Sequence, residues 1–523
     1  MNLNKLRSYI GFGILAAAIL ASFWNVISRN VKSITSDQIE IRIGHQELHT
    51  GMREAFAAAI EAYQELHPNV RIIQVPVPPR TYPAWARTQL VGGTAPDIMG
   101  LYGSEEEITQ LFVPLTDEAE KPNPYNAGTH LEHEPWRNTF FDGMSTVRDM
   151  LRQVAPGQVY GVPLQTTSMR LYVNRDLLIE ITGSDAMPTE YADLYALGQK
   201  IREYNQRTGS KLIPIASCRG YADYIFDRIV GSQVQKFLID TKTHMRSWGF
   251  FKPMYRQTYT YSETPEFLSS LELMSEVAQL LTPGYQQFHP EDAIAAYLQQ
   301  RSLMLVAGSW DYAVLIDRVP FETRAMPLPM PSVNDPKYGR FTLGQAAEKV
   351  EVTAALGAVS ASPHSDVAVD FLKFLTSLPI ATQFTEISKR VSSVVDVPMP
   401  GDLALMAAQT EGEVPGFRVD TFLGRQNTVT LVGRNIHKIT GPQPDVRGFA
   451  EAMDAEMPRY IYEDIKGYRR GDYLTLQRYD AVVALHYMLP KEHPKRNAWL
   501  RYAEAQHGAQ RRYVGYNHFL EGE

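Results

Sequence analysis

The side chains best able to do chemistry are grouped at a few places. His130-Leu131-Glu132-His133-Glu134 brings imidazoles and carboxylates, both metal-ligand types, into one short stretch. The stretch is polar and has no helical or strand periodicity, which favours a solvated loop over a metal site. Glu105, Glu106 and Glu107 are consecutive carboxylates. General acid and base work needs two carboxyls converging across a cleft, whereas acids in a row suit the first turn of a helix, at the positive end of its dipole. No His-Glu-x-x-His, phosphate-binding P-loop, Gly-x-Ser-x-Gly turn or Gly-x-Gly-x-x-Gly motif occurs. Cys218 is the single cysteine, so no intrachain disulfide and no thiolate cluster can form. We therefore expect no metal, no cofactor and no enzymatic activity.

The elements that position these groups follow from hydrophobic periodicity. Ile39-Glu40-Ile41-Arg42-Ile43-Gly44 alternates as a strand, and Leu48, Met52, Phe56, Ile60 and Tyr63 then recur at helical spacing. His67-Pro68-Asn69 stops that helix, and Val70 to Val75 resumes as a strand. A helix from about Tyr82 to Val91 ends at Gly92-Gly93, and Pro96 to Leu101 is a third strand. Strand and helix alternation of this kind predicts a mostly parallel sheet covered by helices. A second α/β unit is read at Leu171-Tyr172-Val173, a helix Tyr191 to Tyr204, the strand Leu212 to Ile215, and the apolar run Leu303 to Gly308. Ala355 to Val359 leads into a helix whose inner face carries Val367, Phe371, Phe374, Leu375 and Leu378.

Bulk properties narrow the class. The chain has 523 residues, 44% hydrophobic and 21% charged, enough for two or three compact units and incompatible with a disordered or fibrous chain. Its net charge of −7 is spread without a concentrated Lys/Arg face, which excludes nucleic acid as the expected partner. Residues 1–36 read as a signal peptide or membrane anchor: Lys5 and Arg7 precede an apolar stretch from Tyr9 to about Ile27, and Ser28-Arg29-Asn30 follows. The stretch is longer than the usual cleaved apolar region and shows no clear small-residue cleavage pattern after Ala21, so both readings stay open.

Several short segments carry a resemblance. They are Leu90-Val91-Gly92-Gly93-Thr94-Ala95-Pro96-Asp97-Ile98, Tyr160-Gly161-Val162-Pro163, Leu171-Tyr172-Val173-Asn174-Arg175-Asp176, Gly308-Ser309-Trp310-Asp311, and the helix Ala368 to Ser377. In this order and spacing they resemble the sugar-type, family 1 extracellular solute-binding proteins of ABC importers, the branch that includes maltose-binding protein. The resemblance covers roughly residues 38–455. It implies a two-lobed α/β periplasmic-binding-protein fold (type II), with a solute held between lobes that close by a hinge motion. The lobes are expected as 37–163 with 309–358, and 164–308 with 359–456. Residues 457–523 are expected as a C-terminal extension packed on the second lobe. Crossings are expected near Gly161–Thr166, Val306–Gly308 and Val359–Pro363. The implied partners are a small solute, a sugar or oligosaccharide, and ABC permease subunits, with the chain acting as a monomer.

Sugar sites combine aromatic faces with planar polar groups that bond hydroxyls. By the resemblance, Trp310 falls where the family stacks a tryptophan on sugar, and Asp311 beside it is a hydroxyl acceptor. His45 and Glu47 follow the first strand at its carboxyl end, where open sheets bind ligands. Tyr102 and Ser104 occupy the equivalent loop after the Pro-Asp strand. Tyr221 with Asp223, and Thr167 with Arg170, complete the expected set, and Arg425 and Asn427 rank below them. For each there is a plainer reading: a core tryptophan, a surface helix start, an arginine salt-bridged to a neighbour.

The chain departs from many relatives in lacking a cysteine just after the leader, which removes a lipid anchor. It is expected outside the cytoplasmic membrane, in a periplasm or held to the inner membrane by its own apolar helix. The alternative is a membrane-tethered sensor or interaction protein on the same fold. An enzyme acting on a sugar in the cleft has no motif behind it.

Overall fold

The computed structural model describes residues 38–151, 155, 157–242, 248–344, 348, 351–353, 355–409, 427–490, 493 and 496–521. The apolar leader and Arg425 lie outside the described residues. Among the described residues, no single helix is long and apolar enough to cross a membrane.

The strands, in chain order, are β1 (Ile39–His45), β2 (Val70–Pro76), β3 (Ile98–Gly100), β4 (Gln165–Thr167), β5 (Met169–Asn174), β6 (Ile213–Ala216), β7 (Ser302–Gly308), β8 (Thr323–Met326), β9 (Glu351–Thr353) and β10 (Leu356–Ala358). The first sheet runs β10-β3-β1-β2. Its β1 is parallel to β2 and β3, and β10 is antiparallel to β3. Helix Thr50–Leu66 connects β1 to β2 and buries Met52, Phe56, Ile60 and Tyr63 of the stripe read from the sequence, while Leu48, its expected first member, precedes the helix and is exposed. Helix Tyr82–Gly92 stops at Gly93, whose φ of 68° is the left-handed conformation glycine adopts without a Cβ penalty.

The second sheet runs β6-β7-β5-β8. Only its β6–β7 pair is parallel; β5 is antiparallel to both β7 and β8. A mostly parallel sheet was the expectation for each lobe, and the second sheet departs from it. Every residue of β7 is buried because β7 is paired on both edges and covered on both faces. Such a strand reads as a continuous apolar run whichever way its neighbours point.

The lobes exchange segments relative to the sequence expectation. β8 pairs with β5, so the chain through Met326 stays with the second lobe rather than the first. Helices Ser365–Leu375 and Leu378–Ser388 bury Phe371, Leu372, Phe374, Leu375 and Phe384 in the core of the first lobe, not the second. The crossings move accordingly. The first lies at β4, overlapping the end of the expected window; the second runs through β9, and the third lies near 389–395. β4 and β9 form a two-stranded antiparallel ladder between the lobes, Gln165 opposite Thr353 and Thr167 opposite Glu351. The third crossing joins it: Gln165 also bridges Ser392, and the Thr166 N–H donates to the Val391 carbonyl at 3.0 Å. Three strand segments therefore lie side by side at the junction.

The chain closes with helix Val446–Met488, 43 residues long, and helix Arg496–Leu520, which folds back along it. Phe449, Ala450, Met453, Met457, Ile461 and Ile465 are buried in the core of the second lobe.

Candidate functional site

The first wall forms where β1 and β3 end. His45, Gln46, Glu47, Tyr102 and Leu164 line a cavity of about 270 Å³ at this edge. Backbone and rings approach closely here: a Cβ on Gly44 would lie 2.8 Å from the Trp85 indole and 2.9 Å from Pro96. The buried His45 ring stacks on Phe56 at 4.7 Å. Its Nδ1 accepts from the Glu47 N–H at 3.3 Å and its Nε2 faces the Gln74 Oε1 at 3.2 Å, which fixes a neutral imidazole protonated on Nε2. Burial lowers its pKa, so it is uncharged at neutral pH. His45 is thus a support for Glu47 as much as a lining group. Glu47 is held from behind by the Gln165 side-chain amide at 3.5 Å and the Arg390 guanidinium at 3.7 Å.

The second wall forms where β7 ends. Gly308 leads into one tight turn, Ser309–Asp311, that carries Trp310 and Asp311. A Cβ on Gly308 would lie 2.2 Å from the Trp310 indole, so glycine is required for the ring to lie over the strand end. Tyr221 and Tyr224 flank the indole, with centroids at 6.5 and 6.1 Å. The Tyr221 hydroxyl donates to Asp311 Oδ2 at 2.6 Å and the Gly308 N–H donates to the same oxygen at 3.2 Å. Burial raises the Asp311 pKa, against the effect of these two donors. Burial and then the nearby Asp311 carboxylate raise that of Tyr221, which stays a neutral donor.

Arg390, on the third crossing, lies at the base between the walls, and sequence reading did not single it out. It is 7% exposed. Glu47 of the first lobe and Asp311 of the second are the charges that most favour its ionised form, while burial depresses its pKa. Its Nε and Nη1 have no hydrogen-bond partner, nor does the Oε1 of Gln165. A cation flanked by Ser388 and Ser392 within a partly apolar run was the available signal; it was missed because the third crossing was expected near Val359–Pro363.

The other expected residues lie elsewhere or have other work. Thr167 is buried in β4, in the ladder itself. Arg170 is 1% exposed and forks onto Glu348 at 2.9 and 3.1 Å, with further bonds to the carbonyls of Met169 and Leu405. Ser104 caps helix Glu105–Leu111, accepting from the Glu107 N–H at 3.2 Å while Glu107 returns the bond to the Ser104 N–H. Asp223 is exposed on the helix that buries Tyr221. The Asn427 N–H donates to Asp464 at 3.0 Å, away from the cleft. His130 pairs with Asp396 at 2.9 Å, Glu132 accepts from the Gly128 N–H, and Glu134 from Asn138. Among the described residues, no group of three or more His, Cys, Asp or Glu is placed to hold a metal ion.

Two aromatic-and-carboxylate walls on separate lobes, joined at a narrow three-segment hinge, can enclose a small polar molecule and bond it from both sides. Solved structures share this architecture. The chitin oligosaccharide binding protein superposes with a TM-score of 0.55 at 15% identity, covering 82% of this chain and 100% of its own. RafE in complex with raffinose gives 0.54 at 14% identity, over 81% and 100%. The GacH receptor of Streptomyces glaucescens, solved unliganded and with acarbose, gives 0.54 at 14%, over 81% and 98%. No curated protein matches by sequence. Residues 48–379 match the model of the bacterial extracellular solute-binding proteins, and that is more than half of the chain. The chain belongs to the bacterial extracellular solute-binding protein family, the non-enzymatic, extracytoplasmic capture components of ABC importers.

Proposed function

We propose that this protein captures a carbohydrate in the cleft between its lobes and hands it to the permease subunits of an ABC importer. The observation that carries the reading is that Tyr102 and Glu47 line a cavity at the strand ends of one lobe, Trp310 and Asp311 end β7 of the other, and Arg390 is near enough to feel the charges of both Glu47 and Asp311. The indole and phenol rings offer faces for the apolar side of a pyranose, and the carboxylates accept from its hydroxyls. Tyr221 orients Asp311, and His45, Gln165 and Arg390 orient Glu47. Asp223 is exposed on the helix that carries Tyr221. Thr167 acts through the hinge ladder, while Arg170 and Ser104 are structural in this assignment, since their polar atoms are already committed. The structural neighbours that bind chitin oligosaccharide, raffinose and acarbose support a saccharide as the solute class. The leader at 1–36 would deliver the body across the membrane or tether it there.

The test is thermal unfolding of the body from Ser36 onward with raffinose, chitin oligosaccharides, xylan fragments and galactose, and with amino acids and polyamines alongside. A solute at ~100 times its dissociation constant adds ~2.7 kcal/mol to the folded state, seen as a raised midpoint. A saccharide shift that vanishes in Trp310→Ala is the expected result. A shift with amino acids or polyamines and none with sugars would overturn the carbohydrate assignment.

A further inference from the structure

The chitin oligosaccharide binding protein is matched over its whole length by 82% of this chain. The C-terminal helical hairpin lies beyond the 48–379 span of the family model. Its base is built into the second lobe. Phe449, Ala450 and Met453 are fully buried there, and the Asp454 carboxylate accepts from the N–H groups of Tyr261 and Ser262 at 2.6 and 2.9 Å. At ~1.5 Å per residue the first helix is about 64 Å long, more than one lobe requires.

Its far part meets the other lobe. Arg512, on the returning helix, forks onto Asp472 of the outgoing helix at 2.7 and 3.0 Å and reaches Glu106 at 3.2 Å. Tyr479 of the outgoing helix bonds Gln110. Glu106 and Gln110 are four residues apart on helix Glu105–Leu111, one turn of the same face, and that helix starts three residues past the cleft-lining Tyr102. The two attachments differ in kind. The hairpin joins the second lobe through an apolar core, which does not dissolve without unfolding. It joins the first lobe through part-buried polar contacts, one ion pair and one side-chain hydrogen bond, whose groups water can take up when they separate, and among the described residues it shares no apolar core with that lobe. A body fixed at one end and releasable at the other, spanning two parts that swing about a short ladder, restrains that swing.

We propose that the C-terminal hairpin is a strap across the two lobes, latched on the first lobe by Glu106 and Gln110, and that it biases the protein without solute toward the lobe arrangement described here. The strap concerns lobe motion and holds whatever solute occupies the cleft. Rotation of the lobes about β4 and β9 parts the latch.

The test measures lobe separation directly. Spin labels at Ala57→Cys and Ala196→Cys, exposed positions on helices of the first and second lobes, report the distance by pulsed electron resonance. Cys218 is 1% exposed and does not compete for label. In the full-length body without solute, the expected distribution is narrow. Combining Glu106→Gln with Gln110→Ala, which leaves the Arg512–Asp472 pair intact, should add a second population at longer separation. High salt should shift the unsubstituted protein the same way. Identical distributions with and without the latch substitutions, in protein of unchanged melting midpoint, would overturn the strap. That readout needs no solute, so its failure is separable from failure of the carbohydrate assignment.

Discussion

Asp311 accepts from the Tyr221 hydroxyl and the Gly308 N–H, and burial still raises its pKa. A carboxyl whose folded pKa is raised binds its proton more readily in the folded than in the unfolded state. Its stabilising contribution is therefore complete at low pH and is lost as pH rises through the raised value. At neutral pH the ionised group weighs against the fold, and Asp311→Asn should raise the melting midpoint by roughly 1–3 °C, with the difference closing on acidification. Solute affinity runs the other way. The same substitution removes a charged acceptor and should weaken binding roughly 10- to 100-fold by calorimetry. In the unsubstituted protein, affinity should fall on acidification at a pH above the ordinary ~3.9 of an aspartate, and the asparagine variant should lose that titration. The placement of Trp310, Asp311, Glu47 and Tyr102 just past strand ends was legible in the sequence because each of those strands is itself legible. Arg390 was not, since its place depends on which of three later segments crosses between the lobes, a long-range fact that local pattern does not carry.

Two elements make sharp demands on their sequences. The turn after β7 needs glycine at 308 for lack of space, so Gly308→Ala should displace the indole and lower solute affinity as far as Trp310→Ala does. It should also cost ~1–3 kcal/mol of stability in thermal unfolding, as overpacking does. The Pro96-Asp97 segment serves architecture. Asp97 accepts from the Arg42 N–H of β1 at 2.7 Å and from the Ser362 hydroxyl at 2.6 Å, tying β1, β3 and the chain after β10 together. Asp97→Ala should cost ~2–4 kcal/mol in denaturant unfolding, from two hydrogen bonds to a charged group, and leave the cleft groups in place. The first sheet was readable because its crossover helices carry clear stripes and stops, such as Met52, Phe56 and Tyr63 before Pro68. The second was misread in direction: β7 is buried along its whole length, and a fully buried strand has no alternation to show which way its neighbours run.

Across the whole molecule, the sequence conveyed two lobes and a hinge, and misassigned the segments that pass between them. Helices Ser365–Leu375 and Leu378–Ser388 have strong apolar faces, but an apolar face does not name the core it will join. The extension was expected on the second lobe, and its apolar seam is there; its polar reach to Glu106 involves residues about 400 positions apart in the chain. That seam predicts a stability effect. Met453→Ala leaves a cavity in the second-lobe core and should cost ~2–5 kcal/mol, with the loss confined to the transition of that lobe if calorimetry resolves two.

The ladder of β4, β9 and the chain at 389–395 lies at the foot of the cleft, beside Gln165 and Arg390. Points close to a pivot travel little when the leaves of a door swing, and points far from it travel most. Groups at the foot therefore keep nearly the same spacing whether the entrance is wide or narrow, while groups at the rim, such as Arg80 and Glu291 at 3.5 Å, exist as a pair only near one angle. On the proposed capture of a solute in the cleft, recognition at the foot is then already complete when a molecule arrives, and the rim decides how long it stays. Changes near the pivot should act mainly on which molecules are accepted, and changes at the rim on residence time.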